Sequence, residues 1–394
     1  MTNDLSKMKV LEMLAEGKVT PEEAAKLLEA LAKEHGPRDS RRWRDDDHDD
    51  DDFDEEDFEG VFGQIGEQLS GIASEIGDSI KEGLEGLKDL DVSLDLGDIF
   101  VGGYKGQHSF VSQPVSQNIM ALRLLAKNDK IEISSYEGRE VRISCEYKSK
   151  KPRAGVRLSE EGGVYELLYD YNAMRSMRIY AQVPAGIRIE EIGADTKNAK
   201  IYVGDVLSKA MRLGTTNDKI VIERSLAEEI NAKTSNAAIM IEQVRSGGIF
   251  AETTNAKIKL EHTQADTARL QTTQAKIVTE NTDIAHLYAK TKNAGIVMEN
   301  NFGEFAKTGG QGAERTIEAH TTNGGVSLDV TRGVAVNLQA STSNSKVDCR
   351  LANLLMGETA KSYVSARSYD YDSTAARAKI NISTTNSAIK IKEA

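Results

Sequence analysis

Acid–base catalysis on a repetitive scaffold needs carboxylates, histidines or arginines that converge from neighbouring repeats. The candidates in this chain are His262, His286 and His320, the cysteines Cys145 and Cys349, and one dense acidic run. That run comprises Asp45, Asp46, Asp47, Asp49, Asp50, Asp51, Asp52, Asp54, Glu55, Glu56, Asp57 and Glu59. It lacks the glycine turn and terminal glutamate of a calcium loop, so it predicts no tight metal site. A block of like charge this dense cannot collapse into a core and predicts a disordered acidic linker over 36–59. Divalent-cation capture and docking on a basic partner are its functional alternatives. The two cysteines lie far apart with no metal spacing; they read as small buried hydrophobes in a reducing compartment, or as a pair that spacing alone does not decide. No nucleophile elbow, phosphate loop or zinc spacing is present. The expectation is therefore a non-enzymatic chain with no catalytic residue, cofactor or metal, and a carbohydrate-active β-helix enzyme is the catalytic alternative.

The formal net charge of −12 equals the charge of the acidic run, so the remainder sums to near neutrality. Nucleic acid is not an expected partner, because phosphate binding needs a cationic surface. The N-terminus, MTNDLSKMKV, has no apolar signal core, and no run approaches the roughly eighteen apolar residues of a membrane span. The predicted location is cytoplasmic, with peripheral membrane contact as the alternative.

The elements that must position any site are set by a repeat. Asn198, Asn217, Asn236, Asn255, Gln274 and Asn293 each follow the last by 19 residues, mostly within Thr-x-Asn, and the signal returns at Asn323, Asn344 and Asn386. Six and four residues before these positions stand apolar pairs such as Met211 and Leu213, or Ile230 and Ala232; three and five residues after stand pairs such as Ile220 and Ile222. Each unit is two short strands with one face inward, meeting at a Thr-x-Asn corner. One unit cannot bury its own apolar face, but stacked units can. The fold class is mainly β: a parallel β-helix of about 19-residue coils over 191–394. Asn suits the corner because it tolerates left-handed torsions and bonds locally to backbone, and stacked corners can form amide and hydroxyl ladders. His262, His286 and His320 fall at three different offsets from this register, so stacking does not bring them together.

The rhythm breaks twice. About eleven extra residues intervene before Asn323, around 300–314, and 353–377 lacks the apolar pattern. Insertions in a solenoid emerge as loops, often on the binding face. Phe302, Phe305, Tyr363, Tyr369 and Tyr371 are accordingly the candidate contact residues. The strand Ile389–Lys392 ends the chain with nothing to cap it, which predicts either gatekeeping by Lys390 and Lys392 or pairing of that solenoid end with another molecule.

Ahead of the repeats, 1–35 predicts an α-helical hairpin. Met8, Leu11 and Leu14 keep helical spacing, Gly17 stops the first helix, and Thr20 with Glu23 forms a capping box around Pro21. Two such helices bury too little area to stand alone, so a protein partner or self-association is expected. The stretch MLAEGKVTPEEAAKLLEAL resembles a SHOCT-like hairpin, and its coupling to the repeats resembles the bacterial β-strand-repeat proteins of the putative-adhesin type. That resemblance, which covers about 5–35 and 185–394, implies a role in Gram-positive envelope stress or surface interaction. Residues 60–98 form a glycine-rich amphipathic segment in which Phe62, Ile65, Leu69, Ile72, Ile76 and Ile80 line one face. Its polar face is mainly acidic, which favours packing or self-association over lipid; a peripheral membrane sensor is the alternative. Strands within 99–190 are expected to cap the first coil.

Overall fold

The computed structural model describes residues 104–152, 155–307 and 314–394. The hairpin, the acidic linker and the 60–98 segment with its candidate apolar face lie outside the described residues. In chain order the strands begin with β1 (Tyr104–Pro114), β2 (Ala121–Leu125), β3 (Ile131–Tyr136), β4 (Glu140–Ser149), β5 (Arg157–Glu161), β6 (Val164–Leu168) and β7 (Met174–Pro184). There follow β8 (Arg188–Asp195), β9 (Ile201–Gly204), β10 (Leu207–Gly214), β11 (Ile220–Glu223), β12 (Leu226–Lys233), β13 (Ile239–Glu242) and β14 (Arg245–Glu252). The next group is β15 (Ile258–Glu261), β16 (Gln264–Gln271), β17 (Ile277–Glu280), β18 (Asp283–Lys290), β19 (Ile296–Glu299) and the short helix α1 (Gly303–Lys307). The last are β20 (Arg315–His320), β21 (Val326–Val330), β22 (Ala335–Thr342), β23 (Val347–Arg350), β24 (Leu354–Ala360), β25 (Tyr363–Ser368), β26 (Arg377–Thr384) and β27 (Ile389–Glu393).

From β8 onward every coil contributes one long and one short strand to two facing sheets. The long strands pair in parallel, β8 to β10 to β12 and on to β20, and the short strands pair likewise from β9 to β21. As far as β18 and β19 each residue stands over its counterpart 19 positions away, Ile220 over Ile201 and Ile239 over Ile220, and the next step spans 30. The apolar columns predicted on both sides of the Asn register close into one continuous core. A parallel β-helix is the architecture.

Two inward columns are not part of the simple alternation. In β10 the inward residues are Ser208, Met211 and Leu213, so Lys209 and Ala210 both face outward; the ladder skips Lys209 and Glu228 at the same place. The kink recurs in β12, β14 and β16. It turns an eight-residue strand around the core and adds Ser208, Ala227, Ser246 and Ala265 to the interior. Before it runs a further buried column: Val206, Ser225, Val244, Thr263, Thr282 and Asn301.

At the N-terminal side, β2 and β3 lie on the first coil through β8 and β9. Beyond them β7, β4 and β1 prolong the short-strand sheet, and β6 and β5 prolong the long-strand sheet. At the other side the stacking order departs from the chain order. The final coil, β26 and β27, inserts between the coil of β20 and β21 and the coil of β22 and β23. The expectation of a bare terminal strand at Ile389–Lys392 is therefore corrected. The β27 strand is paired on both sides, and Lys392 reaches Asp329 at 3.1 Å instead of guarding an edge. The chain can return because 353–377 folds as a hairpin: β25 pairs antiparallel with β22 and covers the end of the long-strand sheet, with β24 outside it.

Candidate functional site

The Thr-x-Asn corner divides its labour between a buried hydroxyl and an exposed amide. Each threonine of the motif is buried, and its hydroxyl donates to a main-chain carbonyl of the preceding coil: Thr215 to Ala199 at 3.1 Å, Thr253 to Ala237 at 3.1 Å, Thr291 to Ala275 at 3.0 Å. The asparagines stand outside and bond one another. From Asn128, amide-to-amide bonds of 2.5–2.6 Å run through Asn198, Asn217, Asn236 and Asn255. The row resumes at Gln274 and continues through Asn293, Asn323 and Asn386 to Asn344 at 2.5–2.8 Å. Its sequence, 323 to 386 to 344, is the inverted coil order seen in the sheets.

The left-handed backbone expected at these asparagines is elsewhere. Asp205, Arg224, Gln243, His262, Asn281 and Asn300 carry φ of 44–60°, each seven residues after a corner position, where the short strand turns into the long one. Of the corner row only Asn128 has positive φ. The corner amides thus act through stacking, and a second column bears the strained turns. Asp, His and Asn are enriched in left-handed conformations, and four of the six residues at that offset are of these types; that signal was available in the sequence. In this column Arg224 grips Asp205 through two bonds of 2.8 and 2.9 Å, which hold the Asp205 carboxyl below its usual range.

The two breaks in the rhythm meet. Tyr371 is buried and its hydroxyl donates to Glu314, whose carboxylate also lies 3.8 Å from Arg377. Residues 300–307 of the insertion lie against the coil, and this corrects the expectation for its aromatics; 308–313 lie outside the described residues. Phe302 and Phe305 are each 1 % exposed, because α1 folds back over the coil and seats them in the core, with Arg315 stacked 4.2 Å over Phe305. Beneath them Asn301 donates to Thr279 at 2.9 Å and accepts from Thr282 at 2.5 Å. Tyr371 is removed from the contact set for the same reason and Tyr363 is half-buried. Tyr369, 68 % exposed, is free on the surface.

A groove crosses the long-strand face above the kink, floored by Ser208 and Ala227 and walled by Arg188, Arg245, Asp283 and Arg315. Its charges are largely answered from within: Arg188 to Glu228 at 2.8 Å, Arg315 to Asp283 at 2.9 Å, Arg245 to Gln264 at 2.6 Å.

Comparison with known proteins adds a domain assignment at one end. Residues 6–35 match the SHOCT-like domain. No curated protein matches the sequence. Among solved structures, similarity is found to a putative cell adhesion protein from Clostridium sporogenes, 9 % identical, with a TM-score of 0.23, covering 74 % of this chain and all of that one. A putative adhesin from Parabacteroides merdae is 9 % identical with a TM-score of 0.40, over 73 % of this chain and 96 % of that one. A putative adhesin from Bacteroides fragilis is 8 % identical with a TM-score of 0.35, over 73 % and 97 %. The SHOCT-like residues themselves lie outside the described residues.

The remaining candidates for chemistry stay apart. His262 sits at a left-handed turn, His286 is exposed on β18, and His320 bonds Ser383 at 2.7 Å beside the Tyr288 ring. Cys145 and Cys349 are both free thiols. They occupy β4 and β23, second and last in the order of the 13-stranded sheet. Eleven strand spacings of about 4.8 Å put them on the order of 50 Å apart, far beyond the roughly 4.4–6.8 Å between α-carbons that a disulfide spans. Burial pushes the Cys145 thiol up to about 11. Among the described residues no group of His, Cys, Asp or Glu has the arrangement of a metal site, and no helix is long and apolar enough to cross a membrane.

Proposed function

We propose that this chain is a non-catalytic β-helix scaffold that binds a component of the cell envelope or a protein partner, in an envelope-stress response. One observation carries the reading: the threonine hydroxyls and the amide row, interrupted once between Asn255 and Gln274, repeat in register from Asn128 to Asn344. A stack tied this way holds its outward columns straight and evenly spaced, which suits a rigid binding surface better than a single enclosed site. Self-association through the solenoid ends belongs to the same proposal. Among the described residues seven of the eight exposed large hydrophobics, Tyr104, Val111, Met120, Leu125, Leu355, Met356 and Tyr369, belong to the segments beyond the regular coils, and β1 and β24 are edge strands there. The SHOCT-like hairpin is the second expected contact.

The test is cosedimentation of the full-length chain with Gram-positive envelope fragments, followed by assay of the supernatant for released sugars. Saturable retention without release is the expected result. Absence of saturable retention overturns envelope binding, and sugar release overturns the non-catalytic reading. Mass measured in solution over a concentration series tests self-association, which a strict monomer would refute.

A further inference from the structure

We infer that the corner of the solenoid beside the amide row is a binding rail for a linear acidic polysaccharide, laid parallel to the stacking axis. Within six consecutive coils, the positions from one before to two after each corner residue hold Lys197, Lys200, Lys219, Lys257, Lys276 and Lys292. Asp218 is the one acid among them, and its carboxylate is turned onto the main-chain N–H of Lys219 at 2.6 Å. All six lysines are exposed. Elsewhere on the coils Lys209 meets Glu190, Lys233 meets Glu252, Lys259 meets Glu261 and Glu280, and Lys392 meets Asp329, while Lys290, Lys379 and Lys390 stand singly on other columns. The six on the rail form no ion pair with any described residue.

The local charge is consistent with this. Residues 104–394 carry 39 Lys and Arg against 33 Asp and Glu, whereas the acidic run and its flanks make the first 103 residues strongly negative. The near neutrality of the chain outside the run is a sum over unlike parts. On the same short-strand sheet, Glu223, Glu242, Glu261, Glu280 and Glu299 stack in register along the opposite border. A polyanion is thereby drawn to one border and repelled from the other.

Three features select the polymer. The rail is straight and extends about 24 Å, five coil steps of about 4.8 Å, with two lysines on the Asn198 coil and none on the Asn236 coil, so it suits an extended chain that carries negative charge along its whole length. Between the lysines run hydroxyls of Thr216, Ser235, Thr254 and Thr273 and the amide row. Each Asn Nδ2 has two donor protons, and the row uses one of them, leaving the other for sugar hydroxyls. Single-stranded nucleic acid instead needs aromatic platforms for its bases. An aromatic beside the rail is Tyr202, with Lys200 5.5 Å over its ring and its hydroxyl engaged with Glu223 and Arg224. A saccharide with one carboxylate per sugar satisfies both the cations and the polar groups between them.

This inference rests on the scaffold reading and deepens it. The probe is polygalacturonate, with neutral dextran, poly-glutamate and single-stranded DNA alongside, measured by affinity electrophoresis of the full-length chain. Polygalacturonate is expected to retard the protein at low ionic strength and to lose its hold at about 0.5 M salt, where screening reaches about one ion-pair length. The triple variant Lys219→Gln, Lys257→Gln, Lys276→Gln should bind about tenfold more weakly, as three exposed ion pairs are lost. The variant Lys105→Gln, Lys148→Gln, Lys361→Gln, away from the rail, should bind as the parent does. Equal binding by the rail variant overturns the location, and equal retardation by poly-glutamate or DNA overturns the polysaccharide. No retardation by polygalacturonate ends the inference but leaves the scaffold reading intact if envelope fragments still retain the protein.

Discussion

Replacing Gln243 and Asn236 with glycine, one at a time, should move stability in opposite directions. Gln243 is exposed, makes no side-chain hydrogen bond and has φ 52°. A left-handed torsion costs a non-glycine residue roughly 1–2 kcal/mol, and glycine gives back roughly 0.5–1 kcal/mol through the freedom it gains unfolded. Gln243→Gly should therefore stabilise the coil by roughly 0.5–1 kcal/mol. Asn236 has no such strain, and its amide donates to Asn217 and accepts from Asn255, both at 2.6 Å. Two exposed bonds at the low end of about 0.5–1.5 kcal/mol each, together with the glycine entropy, make Asn236→Gly destabilising by roughly 1.5–2 kcal/mol. Urea unfolding of the full chain followed by circular dichroism measures both. Nearest-neighbour coupling in a stack spreads each effect over adjoining coils but does not change its sign. Stabilisation by Asn236→Gly, or loss by Gln243→Gly, would refute the assignment of strain to the second column.

Other outcomes follow from the same geometry. Thr253→Val keeps the shape of a side chain 3 % exposed but strips the Ala237 carbonyl of its hydroxyl donor; a loss of about 1–2 kcal/mol in the same urea assay is expected, and a neutral effect would show the hydroxyl row to be incidental. The Asp205 carboxyl is lowered first by its bonds to Arg224. Its contribution is therefore present above the ordinary carboxylate range and lost as pH falls through the lowered folded value, so the stability gap between Asp205→Asn and the parent should close on acidification. A gap that stays constant as pH falls below the ordinary carboxylate range, with no narrowing, would point to packing instead. Cys145 should resist thiol reagents at about pH 8 in the folded chain and react on unfolding, and reductant should leave stability unchanged. Deleting 377–394 should disorganise 315–376 as well, leaving a protease-resistant body that ends near residue 300; parent-like proteolysis and unfolding would contradict the inserted coil.

What the sequence made legible was the part governed by local alternation. The paired columns at Met211 and Leu213, or Ile220 and Ile222, are buried as their spacing requires, and two strands per 19 residues follow from them. The kink at Lys209 and Ala210 was not legible, because it shifts the phase of the alternation by one and its inward residues, Ser208, Ala227 and Ser246, are small or polar. A window that counts apolar residues at a fixed period passes over such a column. Of the candidate contact residues Phe302, Phe305 and Tyr371 are buried while Tyr369 is exposed: aromatic side chains inside an insertion signal exposure only when the insertion has no core within reach. Phe302 and Phe305 have one directly beneath them.

Stack order presents a different kind of problem. A Thr-x-Asn motif declares that its segment belongs to a coil, but its hydroxyl and amide choose their partners by position in the stack. Thr384 donates to Gly324 at 2.9 Å and Thr342 to Ser387 at 2.9 Å, so the last coil in the chain is the penultimate coil in space. While the spacing stays at 19, sequence order and stacking order coincide, but the 21 residues from Asn323 to Asn344 climb two steps and leave between them the place that β26 and β27 fill. Once the spacing lengthens to 42, between Asn344 and Asn386, the chain is free to return, and the β24–β25 hairpin turns it back beside β22. The regular part of the ruler therefore fixes neighbours as well as membership, and the irregular part fixes membership alone. The lysine rail lies wholly within the regular part, so its six cations are consecutive in space as they are in sequence, and a polymer following it meets them in that order.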